Sequence, residues 1–274
     1  MVFLCKMIIF KINFVSVLNC CRITGKLKSK FIKMYKTNFR GLIVFAVAMG
    51  IMEAIVVVYV RELFYPEGFE FPLKMLPPWM VSVEILREVC TLLMLGSVAW
   101  ISGKSFLQRL SIFLFTFGIW DIIYYIGLKM ILGWPDSLLT WDILFLIPIT
   151  WTSPVLAPLI CSVVMIEMGL LFDQFRMSGR IEKLRWYEMA LFIFGALIIL
   201  ISFIRDMGKL ILEGDFLSHY LTLPGNPEFI NKLTSYVPSY FQWQIFALGI
   251  LIIIVGITLV IRRALRNKKK ANKL

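Results

Sequence analysis

Charged side chains stand inside stretches of sequence that are otherwise apolar. An ionised side chain at the centre of a membrane costs roughly 2.5 to 3.5 kcal/mol on insertion scales, so such residues usually face a protein interior and have a partner or a function. The carboxyl groups and the single guanidinium could bind a solute, hold a lipid headgroup or carry a proton. The residues concerned are Glu53, Glu84, Arg87, Glu88 and Asp121.

Helix geometry places most of these groups at similar depths. At 1.5 Å per residue, Glu53 lies about 18 Å into the first predicted span, just past the midplane. Arg87 and Glu88 lie within about 8 Å of the outer end of the second span, and Asp121 lies in the outer half of the third. We therefore predict an outward-facing polar pocket, adjoined by Trp120 and Tyr125, whose substrate-binding residues are Glu53, Arg87, Glu88, Asp121 and Tyr124. The alternative is a set of interhelical ion pairs that only fixes helix register.

Two further acids have different surroundings. Glu167 lies about 20 Å down the fourth span, with no basic residue at its depth, and should hold its proton at neutral pH. This makes Glu167 a proton-carrying candidate, and the alternative is a neutral group that only hydrogen-bonds. Asp142 follows Trp141 at the outer boundary, where interfacial anchoring and a helix cap explain the pair, with Asp142 as a weaker candidate for the site.

The elements that must position these residues are membrane helices. The chain has 274 residues, of which 59% are hydrophobic and 17% charged, and its mean hydropathy is +0.83. A soluble domain of this size cannot enclose so much apolar surface, so the fold class is all-α, a polytopic membrane bundle in contact with the lipid bilayer. Six stretches are long enough to span it, namely Gly41–Val60, Val83–Ser102, Phe106–Leu128, Pro154–Phe172, Tyr187–Ile204 and Phe241–Ile261.

Three connecting segments carry structural signals of their own. Residues 137–147 are predicted to form a short helix at or re-entering the outer surface, and the alternative is one continuous helix kinked at its prolines. Residues 207–221 repeat apolar side chains at helical spacing, which predicts an amphipathic outer helix with His219 at its polar edge. Residues 61–80 are rich in aromatics and prolines and are predicted to form an ordered loop at the headgroup level.

The distribution of basic residues predicts the orientation. Placing both termini in the cytoplasm leaves 22 of the 29 lysines and arginines inside and six outside, which satisfies the positive-inside rule. We expect a multi-pass protein of the plasma (inner) membrane, whose polybasic tail, residues 262–274, contacts anionic lipid headgroups. The net charge of +12 therefore records orientation, and no nucleic acid partner is expected.

Residues 1–33 are predicted to lie apart from a single six-helix transmembrane domain formed by residues 34–274. Lys6 and Lys11 interrupt the apolar character of this segment, and it lacks the core and cleavage site of a signal peptide. It is either a basic N-terminal arm or an over-extended gene start.

Sequence motifs for cofactors and catalysis are missing. No Walker A sequence is present, and the serine, paired-aspartate and HExxH signatures of intramembrane proteases are absent. The five cysteines include no CxxC pair, and His219 is the only histidine. We expect no cofactor and no metal site.

Three aromatic and proline-rich blocks carry a resemblance. They are EAIVVVYVRELFYPEGFEFPL at residues 53–73, FGIWDIIYY at 117–125, and GWPDSLLTWDILFLIPITWTSPVLAP at 133–158. Together they resemble a family of uncharacterised polytopic membrane proteins of prokaryotes, over roughly residues 34–204. The resemblance implies a membrane location and no particular activity.

The sequence favours one function over two alternatives. The preferred function is a non-ATPase permease or accessory membrane component that binds a small solute, ion or lipid headgroup in the predicted pocket. One alternative is a membrane-embedded enzyme that uses carboxylate acid–base chemistry on a lipid-like or lipid-linked substrate. The other is a structural membrane subunit, and a homo-oligomer or a membrane partner is left open.

Overall fold

The computed structural model describes residues 37–74, 76–213 and 227–271, which form seven helices and a two-stranded ribbon. All the helices except α6 are long and apolar enough to cross a membrane, which confirms the predicted six-span helical bundle. The predicted arm at residues 1–33 and His219 lie outside the described residues. The elements are α1 (Phe39–Phe64), α2 (Pro78–Ser102), α3 (Phe106–Leu132), β1 (Trp141–Ile143), β2 (Thr152–Pro154), α4 (Leu156–Met177), α5 (Trp186–Glu213), α6 (Pro227–Ser235) and α7 (Trp243–Ala271).

Local sequence signals set the ends of the helices beside the site. The α2 helix begins at Pro78, where the missing amide proton costs nothing because the first turn has no intrahelical acceptor for it. The Ser105 side chain accepts a hydrogen bond from the Gln108 amide and caps α3. Gly133 ends α3 in the left-handed conformation, with φ of 71°, which favours glycine.

Two tryptophans mark a membrane thickness on α2. Trp79 lies at the start of the helix and Trp100 near its end, and both side chains are largely exposed. The helix rises about 31 Å between them, close to the hydrocarbon thickness of a bilayer of about 30 Å. Trp side chains favour the interface, so this spacing fits a helix that spans the bilayer.

Close helix pairs build the bundle around α3. The α3 helix packs against α1, α2 and α4, and α5 packs along α7. A Cβ atom at Gly118 of α3 would lie 2.5 Å from the Ser162 carbonyl oxygen of α4, and one at Gly169 of α4 would lie 2.7 Å from the Ser111 carbonyl oxygen. Small residues at such crossings let membrane helices approach closely, which is how they associate in lipid.

The predicted short helix at residues 137–147 is wrong, and so is the alternative of a continuous kinked helix. Residues 141–143 and 152–154 instead form a short antiparallel ribbon, and α4 begins at Leu156. Pro148 and Pro154 cannot donate helical hydrogen bonds, which prevents a helix through this segment. Pro158 lies in the first turn of α4, where proline is tolerated.

The separate amphipathic helix predicted at residues 207–221 is wrong for residues 207–213, which belong to α5. The α5 helix continues through Glu213, and its buried face runs through Gly195, Ile199, Phe203, Met207 and Ile211 at intervals of four residues. The apolar repeat therefore belongs to the spanning helix, and residues 214–221 lie outside the described residues. Similarly, the basic segment from Arg262 continues α7 as far as Ala271.

Candidate functional site

A cavity of about 860 Å³ lies among the helices, and it has two chemically different ends. Every described element except β2 contributes to its walls, with α3 and α5 contributing along most of their length. Polar and charged side chains from α1, α2, α3 and β1 line the end near the carboxyl end of α3. Apolar side chains line the rest, as in most sites that bind small molecules.

Arg87 forms the centre of one charged cluster. Its guanidinium contacts the Glu53 carboxylate of α1, and its Nε donates to Glu84 Oε2 at 2.9 Å. The Thr91 hydroxyl also donates to Glu53, at 3.0 Å. Glu53 is buried and Arg87 is half-buried, so these groups replace water for one another. The cluster fixes the amino-terminal half of α2 against α1.

Arg61 and Asp142 form a second, deeply buried ion pair. Arg61 Nη2 donates to Asp142 Oδ1 at 2.8 Å, and the Tyr125 hydroxyl donates to Asp142 Oδ2 at 3.1 Å. The Arg61 guanidinium also lies 3.7 Å from the centre of the Trp134 ring and 4.4 Å from that of Phe69. Burial raises the pKa of the Asp142 carboxyl, while the charge of Arg61 and the hydrogen bond from Tyr125 oppose that shift.

Asp121 faces the cavity from α3 between these clusters. The Ser162 hydroxyl of α4 donates to Asp121 Oδ2 at 2.6 Å. Asp121 is enclosed by protein but keeps accessible surface, and this surface belongs to the cavity wall. The Tyr124 side chain also lines the cavity, within electrostatic range of Arg61, Arg87 and Asp121.

The turn of the ribbon brings backbone into the site. Both carboxylate oxygens of Glu88 accept a hydrogen bond from the Leu146 amide, at 2.9 Å. Leu146 lies between β1 and β2, where the backbone is not helical. A backbone amide that is shielded from water needs a hydrogen-bond acceptor, and Glu88 supplies one for Leu146. The ribbon therefore positions Phe145 and Trp151 on the cavity wall.

Aromatic rings form a continuous wall beside the carboxyl groups. The ring centres of Phe117 and Trp120 lie 5.1 Å apart, and the Trp120 and Tyr124 rings stack at 6.5 Å. Phe145 lies 6.4 Å from Trp120 and 5.2 Å from Trp151. All five rings line the cavity.

The apolar end of the cavity runs along α3, α4 and α5. From Leu110 to Tyr125 the lining covers about 22 Å of α3. The polar residues lie toward the carboxyl end of α3 and the apolar ones toward its amino end, which the sequence predicts to be cytoplasmic. The apolar lining side chains include Leu110, Leu114, Met165, Met168, Met189, Phe192, Ile193, Ala196 and Leu200.

The structure brings together all five residues predicted for the pocket, because Glu53, Arg87, Glu88, Asp121 and Tyr124 all line this cavity. Glu167 does not line it. Its side chain is exposed on the surface of α4 and forms no hydrogen bond or ion pair within the described ranges. Its role as a proton carrier stays a prediction.

Four residues of the site were missed or given little weight by sequence reasoning. Arg61 was assigned to the outer loop, but it continues the buried face of α1 after Ala54 and Val58, a spacing that could have indicated it. Asp142 was only a weaker candidate. Thr91 and Ser162 gave no signal, because a hydroxyl in a membrane helix often only donates to its own backbone.

Comparisons with known proteins give no relatives: the chain matches no protein-family model, no curated protein and no solved structure. Within the part of the chain that the structure describes, no group of three or more His, Cys, Asp or Glu side chains is arranged to hold a metal ion. The site is therefore interpreted from its own geometry.

Proposed function

We propose that this integral membrane protein binds a lipid-like amphiphile, as a non-ATPase permease or accessory membrane component for that molecule. The observation that carries the proposal is a cavity that has both a charged end and a long apolar remainder. A headgroup would lie among Arg87, Glu88, Asp121 and Tyr124, and a hydrocarbon chain would extend along α5.

The size and lining of the cavity support an occupant of this kind. An apolar cavity of about 150 Å³ stays dry, and at about 860 Å³ the present one is several times larger. Water gains little in the apolar part because it finds few polar partners there. An amphiphile satisfies both ends at once, whereas a small polar solute would fill only the charged end.

We infer that the occupant enters from the bilayer between two helices that line the cavity. Both α2 and α5 line the cavity, but α2 packs on α3 and α5 packs on α7, with no extensive interface between α2 and α5. A hydrocarbon chain could pass between these two helices without leaving the membrane. This supports movement of an amphiphile within the plane of the bilayer, and the plasma membrane and the prokaryotic family remain part of the proposal.

Filling the cavity with a larger side chain tests the proposal directly. Ala196 of α5 lines the apolar end, and its neighbour Leu197 does not line the cavity and is exposed on the surface of the helix. Native mass spectrometry of protein extracted with its lipids should show a bound amphiphile in the wild type and in Leu197→Trp. Ala196→Trp should lose it while still folding. Equal retention by both variants would contradict the proposal.

A membrane-embedded enzyme is the second candidate, favoured by the hydrogen-bonded pair of Asp121 and Ser162 on the cavity wall. A carboxyl group that faces the occupant could act as a general acid or base. Purified protein should then turn over a lipid-like substrate without a membrane gradient. A purely structural subunit would instead show neither a bound amphiphile nor turnover.

A further inference from the structure

The charged end of the cavity offers far more hydrogen-bond acceptors than donors to an occupant. Five carboxyl groups line the cavity, against three basic side chains, Arg61, Lys74 and Arg87. Arg61 is paired with Asp142, and Arg87 is paired with both Glu53 and Glu84. Glu88 and Asp121 form no ion pair within the described residues. Glu88 accepts hydrogen bonds from the Leu146 amide, and Asp121 accepts one from the Ser162 hydroxyl. The cavity lining therefore has more carboxyl groups than basic side chains.

Few donors remain for an anion at the charged end. Lys74, the third basic side chain, is exposed and lies 5.5 Å from the centre of the Tyr65 ring. The indole N–H groups of Trp120 and Trp151 have no partner among the described residues, but both nitrogens are buried behind the cavity surface. The same holds for Arg61 Nη1, which lies beside the rings of Phe69 and Trp134. A phosphate or sulfate headgroup would therefore meet carboxylates with few donors to offset the repulsion.

The aromatic wall adds a second, independent preference. Phe117, Trp120, Tyr124, Phe145 and Trp151 form a chain of ring contacts along one side of the charged end. Asp121 directly follows Trp120, and Glu88 binds the amide of Leu146 next to Phe145, so the carboxyl groups and these rings line the same end of the cavity. Aromatic faces attract cations, and cages of aromatic rings recognise ammonium groups.

We propose that the headgroup of the bound amphiphile carries an ammonium group, held between the aromatic wall and the carboxyl groups of Glu88 and Asp121. This inference rests on the proposed function, since it names the class of molecule that occupies the same cavity. The positive charge of the ammonium group takes the place of the basic side chain that Glu88 and Asp121 lack. The N–H donors of a primary ammonium, or the methyl groups of a quaternary one, contact the carboxylates and the rings. The apolar end holds the hydrocarbon chain.

Four probes with the same hexadecyl chain test the inference by competition. They are hexadecyltrimethylammonium, hexadecylamine, hexadecyl glucoside and hexadecyl sulfate, offered together to the protein in a neutral polyoxyethylene detergent. Native mass spectrometry counts the bound molecules. We expect one or both ammonium probes to bind about tenfold more tightly than the sulfate and the glucoside. The stronger of the two shows whether a primary or a quaternary ammonium is preferred.

Variants of the wall separate recognition from folding. Asp121→Asn can still accept the hydrogen bond from Ser162, so it should fold while binding the ammonium probe about tenfold more weakly. Glu167→Gln, on the outer surface of α4 and away from the cavity, should bind like the wild type. If the protein that carries both Asp121→Asn and Glu88→Gln keeps the preference for ammonium probes over the sulfate and the glucoside, the role of the carboxyl groups would be overturned.

The remaining outcomes distinguish this inference from the function on which it rests. Glucoside or sulfate bound as tightly as the ammonium probes, in a manner blocked by Ala196→Trp, would overturn the ammonium headgroup and leave amphiphile binding intact. If Ala196→Trp reduces the binding of none of the four probes, the result would instead contradict the proposed function itself.

Discussion

Arg87 is the residue on which the geometry of the site depends most. It contacts Glu53 on a different helix and Glu84 on its own, while few other buried residues hold α2 in place. Removing one member of a buried charge pair is more costly than the pair itself is stabilising, because the remaining charge loses its partner. The cluster is therefore a structural requirement as well as a part of the cavity wall.

A double-mutant cycle measures this dependence. Arg87→Ala should lower the free energy of unfolding by roughly 3 to 5 kcal/mol, because Glu53 and Glu84 are left unpaired. Adding Glu53→Gln should restore part of the loss, with a coupling of about 0.5 to 3 kcal/mol, measured by reversible unfolding in mixed micelles. Additive effects of the two changes would contradict a direct pair.

Glu88 provides a second test at the scale of one residue. Glu88→Leu leaves the Leu146 amide without an acceptor, which should cost about 1 to 3 kcal/mol of stability. Glu88→Gln keeps an acceptor oxygen and should cost clearly less in the same unfolding measurement. Equal losses for the two variants would show that the hydrogen bond does not hold the ribbon.

The sequence predicted part of the site because a charge in an apolar stretch is a strong signal. Glu53, Arg87 and Asp121 stand out in this way, and helix rise alone placed them at compatible depths. Asp142 and Ser162 could not be placed, because their position depends on how the ribbon folds back and how closely α3 and α4 approach. Those are tertiary features with no periodic signal.

At the scale of elements, the ribbon between α3 and α4 is the feature that sequence patterns described worst. The apolar run with three prolines fitted a broken helix, and nothing in the pattern indicates that residues 141–143 pair with residues 152–154. A two-stranded ribbon this short is not stable alone. It is held by tertiary contacts from Arg61 to Asp142 and from Leu146 to Glu88.

The crossing of α5 and α7 gives a prediction about an element pair. A Cβ atom at Gly195 would lie 3.0 Å from the Gly249 carbonyl oxygen and 2.7 Å from the Ile253 side chain. Gly195→Leu should therefore force the helices apart and cost about 1 to 3 kcal/mol. Gly96→Leu on α2 is the matched control, since nothing lies within 4 Å of a Cβ atom there. Similar thermal stability for both variants would refute the close crossing.

A buried ion pair joins the amino end of α5 to α7. The Glu188 carboxylate is fully buried and accepts from Arg263 Nε at 2.8 Å and Nη2 at 2.6 Å. We expect Glu188→Ala to lower the free energy of unfolding by roughly 3 to 5 kcal/mol. Glu182→Ala, on the exposed loop before α5, should change it by less than about 0.5 kcal/mol. A small effect of Glu188→Ala would show that the pair is not needed.

At the scale of the whole molecule, six spanning helices require both ends of the helical bundle to lie on the same side of the membrane. The excess of basic residues predicts that this side is the cytoplasm. Green fluorescent protein fused after Leu274 should therefore fluoresce, and alkaline phosphatase fused there should be inactive. A fusion after residue 66 in the outer loop should give the opposite result. An active phosphatase at the carboxyl end would invert the topology.

The whole bundle also determines what fills the cavity, since its charged end and its apolar end come from different helices. The most direct test is a cryo-electron microscopy structure of the protein in lipid nanodiscs. We expect elongated density in the cavity, with its polar end between Trp120, Asp121 and Glu88 and its tail beside Ala196. A structure in which α5 closes onto α4 and leaves no space for an amphiphile would contradict the proposed function.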